Sequence, residues 1–132
     1  MPSLLRWTRT HARSARLWGF LVMGILIVAC ATDMTQKRER SEALRNIGQA
    51  YLMQRDFTAA LSKLLEAEAI YGDDPILQNY LGLAYRAKAR FAEAADHFNR
   101  AIALDPDYAP ARNNLGETYM AMERWDDAIA VF

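Results

Sequence analysis

The chain is short of most residues that site chemistry requires. Among 132 residues there is one cysteine, Cys30, and there are two histidines, His11 and His97. A lone thiol closes no internal disulfide, so cysteine usage is silent on redox compartment. Beyond Cys30 only four glycines remain, Gly48, Gly72, Gly82 and Gly116, which leaves no glycine-rich loop to cradle a phosphate. No pair of histidines or carboxylates has metal-ligand spacing. A long apolar run is missing as well. Leu17 to Ala29 is uncharged for 13 residues and Asp33 closes the stretch, whereas a bilayer core of about 30 Å needs about 20 apolar residues. Nor is there excess charge, since 16 basic residues balance 16 acidic ones. The length suits about one domain.

The neutral total averages two unlike parts. Residues 1–16 hold Arg6, Arg9, Arg13 and Arg16 and no acid, while from Cys30 onward 12 basic residues face 16 acidic ones, net −4. A mildly acidic body does not suit nucleic acid, which is bound by neutralising phosphates. A basic start, about 7–15 apolar residues and then a small residue is the layout of a secretory signal, and it is favoured here over a permanent span. The four arginines hold the N-terminus in the cytoplasm, so everything after Cys30 is expected to be exported. Ile27-Val28-Ala29-Cys30 resembles the bacterial lipobox, with Ile27 where leucine is commonest. The resemblance implies cleavage before Cys30, a diacylglyceryl group on its sulfur and an acyl chain on the new amine. Two chains already anchor stably, so three would hold firmly. Ala31 is not the aspartate that keeps enteric lipoproteins at the inner membrane, which points to the outer membrane. A buried cysteine beside an ordinary cleavage site is the alternative.

What the chain does have is a repeat. NIGQAY, YLGLAY and NLGETY place Gly48, Gly82 and Gly116 at intervals of 34 residues, each followed after three by Tyr51, Tyr85 and Tyr119. Nine residues further stand Ala60, Ala94 and Ala128, and Phe57, Phe91 and Trp125 recur likewise. This pattern resembles the tetratricopeptide repeat (TPR) over residues 41–132. The resemblance implies an all-α solenoid of helical hairpins, about 2.7 repeats after a cleaved lipoprotein signal peptide. The expected divisions are a signal over 1–29, lipidated Cys30 with a linker to 40, and repeats over 41–74, 75–108 and 109–132.

The physics supports it. Counting each repeat from Ser41, Pro75 and Ala109, positions 7 and 11 share one face of a first helix, and positions 20, 24 and 27 share one face of a second. Small residues at positions 8, 20 and 27 let two backbones approach, and stacking on a neighbouring hairpin completes the core. Asp74-Pro75 reads as N-cap and N1, Asp105-Pro106 ends a helix, and Asp126 and Asp127 suit a first turn. Position 15, often glycine in the family, holds Arg55, Ala89 and Glu123. A left-handed residue with a side chain costs about 1–2 kcal/mol, so these hairpins are expected to turn differently. Phe132 falls at position 24, ten short of a full repeat, and the chain is expected to be the N-terminal portion of a longer protein.

No catalytic residue, cofactor or metal is expected. His97 reads as a solvated helix residue, Asp73-Asp74 and Asp126-Asp127 as caps, and Phe57, Phe91 and Trp125 as core. What the resemblance implies instead is a groove lined by positions 2, 5, 9, 12 and 13 of the first helices. From repeat one these include Arg45, Gln49, Leu52 and Met53. From repeat two come Asn79, Leu83 and Arg86, and from repeat three Asn113, Glu117 and Met120. Apolar patches beside polar groups suit an extended or helical peptide. Equally, Leu52, Leu83 and Met120 could be packing residues. The carboxylate clamp of chaperone-binding TPRs is not matched, since Arg45 is its only basic candidate in repeat one and Gln49 replaces asparagine.

Signal, cysteine, a linker of about ten residues and then repeats resembles the type IV pilus pilotin lipoproteins of the PilF/PilW type. ALSKLLEAEAIYGDDPILQNYLGLAY and PDYAPARNNLGETY also look like that family's repeats. The resemblance implies a non-catalytic scaffold, lipid-anchored in the outer membrane and facing the periplasm, that binds an outer-membrane secretin and assists its assembly. Two alternatives stand beside it: a general periplasmic TPR adaptor, and the TPR region of a larger enzyme.

Overall fold

The computed structural model describes residues 32–132, and the expectations placed on the signal and on Cys30 lie outside them. Among the described residues there are six helices and no strand. They are α1 (32–53), α2 (Phe57–Ile70), α3 (Pro75–Ala87), α4 (Phe91–Leu104), α5 (Ala109–Ala121) and α6 (Trp125–Val131). Residues 37–132 form one compact unit of three hairpins, α1–α2, α3–α4 and α5–α6.

Helix starts follow the local chemistry. Asp56 caps α2 by accepting from the Ala59 amide at 3.0 Å, and Asp74 caps α3 by accepting from the Ile76 amide at 2.9 Å, with Pro75 opening the helix. The caps of α4 and α6 are Arg90 and Arg124, whose side chains make no cap hydrogen bond. Each instead lies over the tyrosine of its own hairpin, 4.8 Å from the Tyr85 ring and 4.5 Å from the Tyr119 ring. Each also pairs with a first-turn acid, Arg90 with Glu93 and Arg124 with Asp127, both at 2.6 Å. Cation–π attraction and an i,i+3 ion pair thus stand in for the missing cap. Asp105 closes α4 as expected.

The hairpins do not turn differently. Arg55, Ala89 and Glu123 all sit in the left-handed region, at φ 61, 57 and 59. Each is the residue just past the end of a first helix. In the first hairpin Arg55 N donates to Leu52 O and Asp56 N to Tyr51 O, both at 3.0 Å, and the other two repeat the pair of bonds. That double bond is the Schellman closure, which glycine normally completes without strain. Packing of the two helices holds the backbone there and overrides the side chain's preference.

Glycine is required elsewhere, where the helices meet. A Cβ on Gly82 would lie 2.5 Å from the Phe98 ring, and one on Gly48 would lie 2.6 Å from Leu64 Cγ. Position 8 of the first helix is therefore the seat for the position-24 side chain of the second. Leu64 and Phe98 are fully buried, as are Ala60, Ala67, Ala94 and Ala101 beside them. The next first helix covers each seat: Leu77, Leu81 and Ala84 of α3 close over Leu64, and Leu115 of α5 closes over Phe98. Phe132 rests on Gly116 in the same register, yet is 68% exposed, because no described helix covers it. Trp125, expected in the core, is exposed for the same reason.

Ala89→Gly should therefore stabilise the fold, by about 0.5–1 kcal/mol after the entropy that glycine gains in the unfolded chain. Thermal unfolding followed by circular dichroism checks it, and an unchanged or lower midpoint would count against the strain.

Candidate functional site

The first helices lie side by side. The Asn114 side-chain amide donates to Asn79 Oδ1 at 2.8 Å between α5 and α3, and Arg86 of α3 pairs with Glu117 of α5 at 2.6 Å. Between α1 and α3, Arg45 pairs with Asp74. This common face is the one expected to carry a groove.

Its residues divide into two groups. Asn79 is a correction to the groove set: it is buried and its carbonyl oxygen is taken by Asn114. Arg45 is largely buried too, held by Asp74, by Glu42 at 3.0 Å and by the Asn46 side-chain oxygen at 3.3 Å, so it clamps the α3 cap rather than facing a partner. Leu52 and Leu83 are half-buried and pack against the two core clusters while keeping part of their surface open. Gln49 and Arg86 are also half-buried, and Met53, Asn113, Glu117 and Met120 are exposed, Met53 at 80%. Eight of the ten thus keep surface open to solvent, and two are structural.

Between α1, the start of α2 and α3 lies an open pocket of about 430 Å³ lined by Leu52, Arg55, Phe57, Leu83, Arg86 and Ala87. Arg55 and Phe57 were not expected there. Position 15 belongs to the turn, where Arg55 takes a left-handed backbone and lines the edge of the pocket. A smaller pocket of about 290 Å³ opens over Arg45, Glu42 and Asp74, whose charges are spent on one another.

A second polar system lies away from this face. His97 is not a solvated residue: its ring stacks on Tyr85, centroids 5.1 Å apart and planes 9° off parallel. Its Nδ1 is 2.7 Å from Oε1 of fully buried Gln78. Both hydrogens of the Gln78 amide are committed, to Glu68 at 2.9 Å and to the Gly72 carbonyl at 3.0 Å. The Gln78 oxygen must therefore accept, which places the His97 proton on Nδ1. Arg100 reaches Glu68 at 2.7 Å and closes a network joining α2, α3 and α4. Burial pushes the His97 pKa below its ordinary value, with Arg100 acting in the same direction and Glu68 and Asp96 opposing. No group of three or more His, Cys, Asp or Glu residues able to hold a metal occurs among the described residues.

Comparison with known proteins agrees with this architecture. A family model described as a tetratricopeptide repeat matches residues 31–75, and one described as a TPR repeat matches residues 82–123. The chain carries tetratricopeptide repeats folded as a solenoid of helical hairpins. It is similar to the second TPR of Spaghetti (RPAP3), solved bound to the HSP90 peptide SRMEEVD, at 20% identity and a TM-score of 0.70 over 74% of this chain and 90% of that one. It also resembles the Sgt2 TPR domain from Aspergillus fumigatus, at 25% identity and a TM-score of 0.66 over 69% of this chain and 60% of that one. In sequence it is 22% identical to superkiller complex protein 3 of Mus musculus over 87% of this chain, which spans 8% of that relative's length.

Two tests separate the structural residues from the open ones. Arg45→Ala should cost about 2 kcal/mol in urea unfolding, because it leaves the largely buried Asp74 carboxylate with only a backbone donor, whereas exposed Met53→Ala should stay within about 0.5 kcal/mol of the parent. The network should also make stability pH-dependent. Below about 6.5 the unfolded chain takes a proton on His97 that the folded chain resists, so stability falls as pH drops from there toward the lowered folded value. Urea midpoints taken above and below that window should fall for the parent and fall less for His97→Gln.

Proposed function

We propose that this chain is a non-catalytic scaffold, anchored by an acylated Cys30 in the bacterial outer membrane and facing the periplasm, that holds a segment of a partner protein against its first helices. The partner is a secretin of the type IV pilus, whose assembly the scaffold assists. One observation carries the interaction reading: the open side-by-side face of α1, α3 and α5, where half-buried Leu52 and Leu83 adjoin charged groups. Such a mixed face fits a peptide better than it fits a small polar substrate. The peptide-bound TPR of Spaghetti and the TPR2B domain of yeast Sti1 in complex with Hsp70 support it by fold. Because Arg45 is engaged by Asp74, a carboxylate clamp at its position is unavailable. The anchor and the secretin rest on the order of lipobox, short linker and repeats.

Radiolabelled palmitate should enter the full-length chain in its host and be lost in Cys30→Ala, which should also leave the outer-membrane fraction. Cross-linking in whole cells should capture the secretin. Absence of label in the parent overturns the anchor. Capture of a different envelope protein in place of the secretin replaces the pilus assignment with a general adaptor.

A further inference from the structure

The pocket between α1 and α3 is not a by-product of the repeat. Its lining comes from positions 12, 15 and 17 of the first repeat and 9, 12 and 13 of the second. At the next junction the corresponding residues are Arg86, Ala89 and Phe91, then Glu117, Met120 and Ala121. There the apolar pair Leu52 and Leu83 is replaced by Arg86 and Glu117, which close on each other at 2.6 Å, and the turn offers only a methyl group. Among the described residues only the first junction combines two leucines, an aromatic ring and two guanidinium groups around open space.

Its charge is unbalanced. The Arg55 guanidinium is exposed and has no hydrogen-bond or ion-pair partner among the described residues. Arg86 shares its charge with exposed Glu117, and Lys88 stands nearby, donating to Thr58 at 3.0 Å. Asp56, the adjacent acid, is committed to capping α2. The apolar floor of Leu52, Leu83 and Phe57 is half-buried and lies below this basic rim. The volume falls within the range of about 300–1,000 Å³ typical of ligand pockets. Planar guanidinium donors favour a carboxylate, and the leucines favour an apolar side chain.

We propose that this junction pocket takes an apolar side chain flanked by a carboxylate, presented by an acidic segment of the partner protein, with Arg55 as the group that binds the anion. The inference rests on the interaction-scaffold reading and names the chemistry of its ligand.

Arg55 offers an unusually clean test, because its backbone is left-handed. Arg55→Gly removes the guanidinium while relieving the turn, so loss of binding cannot follow from loss of fold. The probe is a fluorescent blocked hexapeptide alternating leucine and glutamate, titrated by anisotropy into the full chain in mild detergent. Counterparts alternate leucine with lysine and serine with glutamate, and Lys63→Gln, on the exposed side of α2, controls for charge alone. The leucine–glutamate peptide should bind the parent and Lys63→Gln equally, and Arg55→Gly about tenfold more weakly at a raised melting temperature. Both counterpart peptides should bind the parent at least about tenfold more weakly than it. Equal binding of all three peptides, equal binding by Arg55→Gly and the parent, or no binding of the leucine–glutamate peptide overturns the proposal. The scaffold reading is decided separately, by the cross-linking in cells.

Discussion

The fold depends on one close approach, a glycine in each first helix seating a bulky side chain from the second. At Gly82 the missing Cβ leaves the space that the Phe98 ring fills, and Gly48 does the same for Leu64. Alanines at positions 20 and 27 keep the two backbones near enough for this contact to be made. Close packing is what converts such proximity into stability, since interiors tolerate neither gaps nor overlap. The seat also sets the next level of structure. Once Phe98 is placed, its outer surface is the ground on which α5 packs, as Leu64 is for α3. Each hairpin thereby prepares the site for the next, which is why the contacts are between neighbours and the order is one-dimensional.

Constant spacing of hairpins has a consequence for recognition. It brings first helices together on one face, and there residues that vary between repeats are free to differ in chemistry. Some of that variation is used internally. Arg45 with Asp74, Asn79 with Asn114, and the Glu68–Gln78–His97 chain each tie one helix to the next with hydrogen bonds or charge. Buried polar groups must find such partners, because an unpaired one costs the full price of desolvation. What is left over, chiefly Leu52, Leu83, Arg55 and Arg86, is the part of the face that has surface to offer. The proposed peptide-holding role rests on this remainder, and the residues that repeat contribute only the frame.

The turns show how tertiary packing overrides local preference. Nothing at Arg55, Ala89 or Glu123 favours positive φ, yet all three adopt it, because the seat and the Schellman bonds fix both helices on either side. The capping of α4 and α6 shows the converse: arginine makes a poor N-cap, and its stacking on Tyr85 or Tyr119 with an i,i+3 acid supplies a substitute assembled from the same short stretch of chain. Local rules therefore hold where their partners lie within a few residues. They give way where a contact from a second helix is worth more.

By itself the sequence determined the helical hairpins, their number and most of their core. These are written as a period of 34 residues, because each hairpin solves the same packing problem with the same glycine, alanine and aromatic positions. It also pointed to the face that the first helices share, since position along a repeat fixes direction around a helix. Only the tertiary structure decided which of those facing residues are open. It withdrew Asn79 and Arg45, added Arg55 and Phe57, and turned His97 from solvent into a half-buried link. The reason is distance along the chain. Arg45 and Asp74 are 29 residues apart, and Asn79 and Asn114 are 35 apart. No periodicity announces such pairs, because partners so separated are chosen by geometry after the helices have stacked.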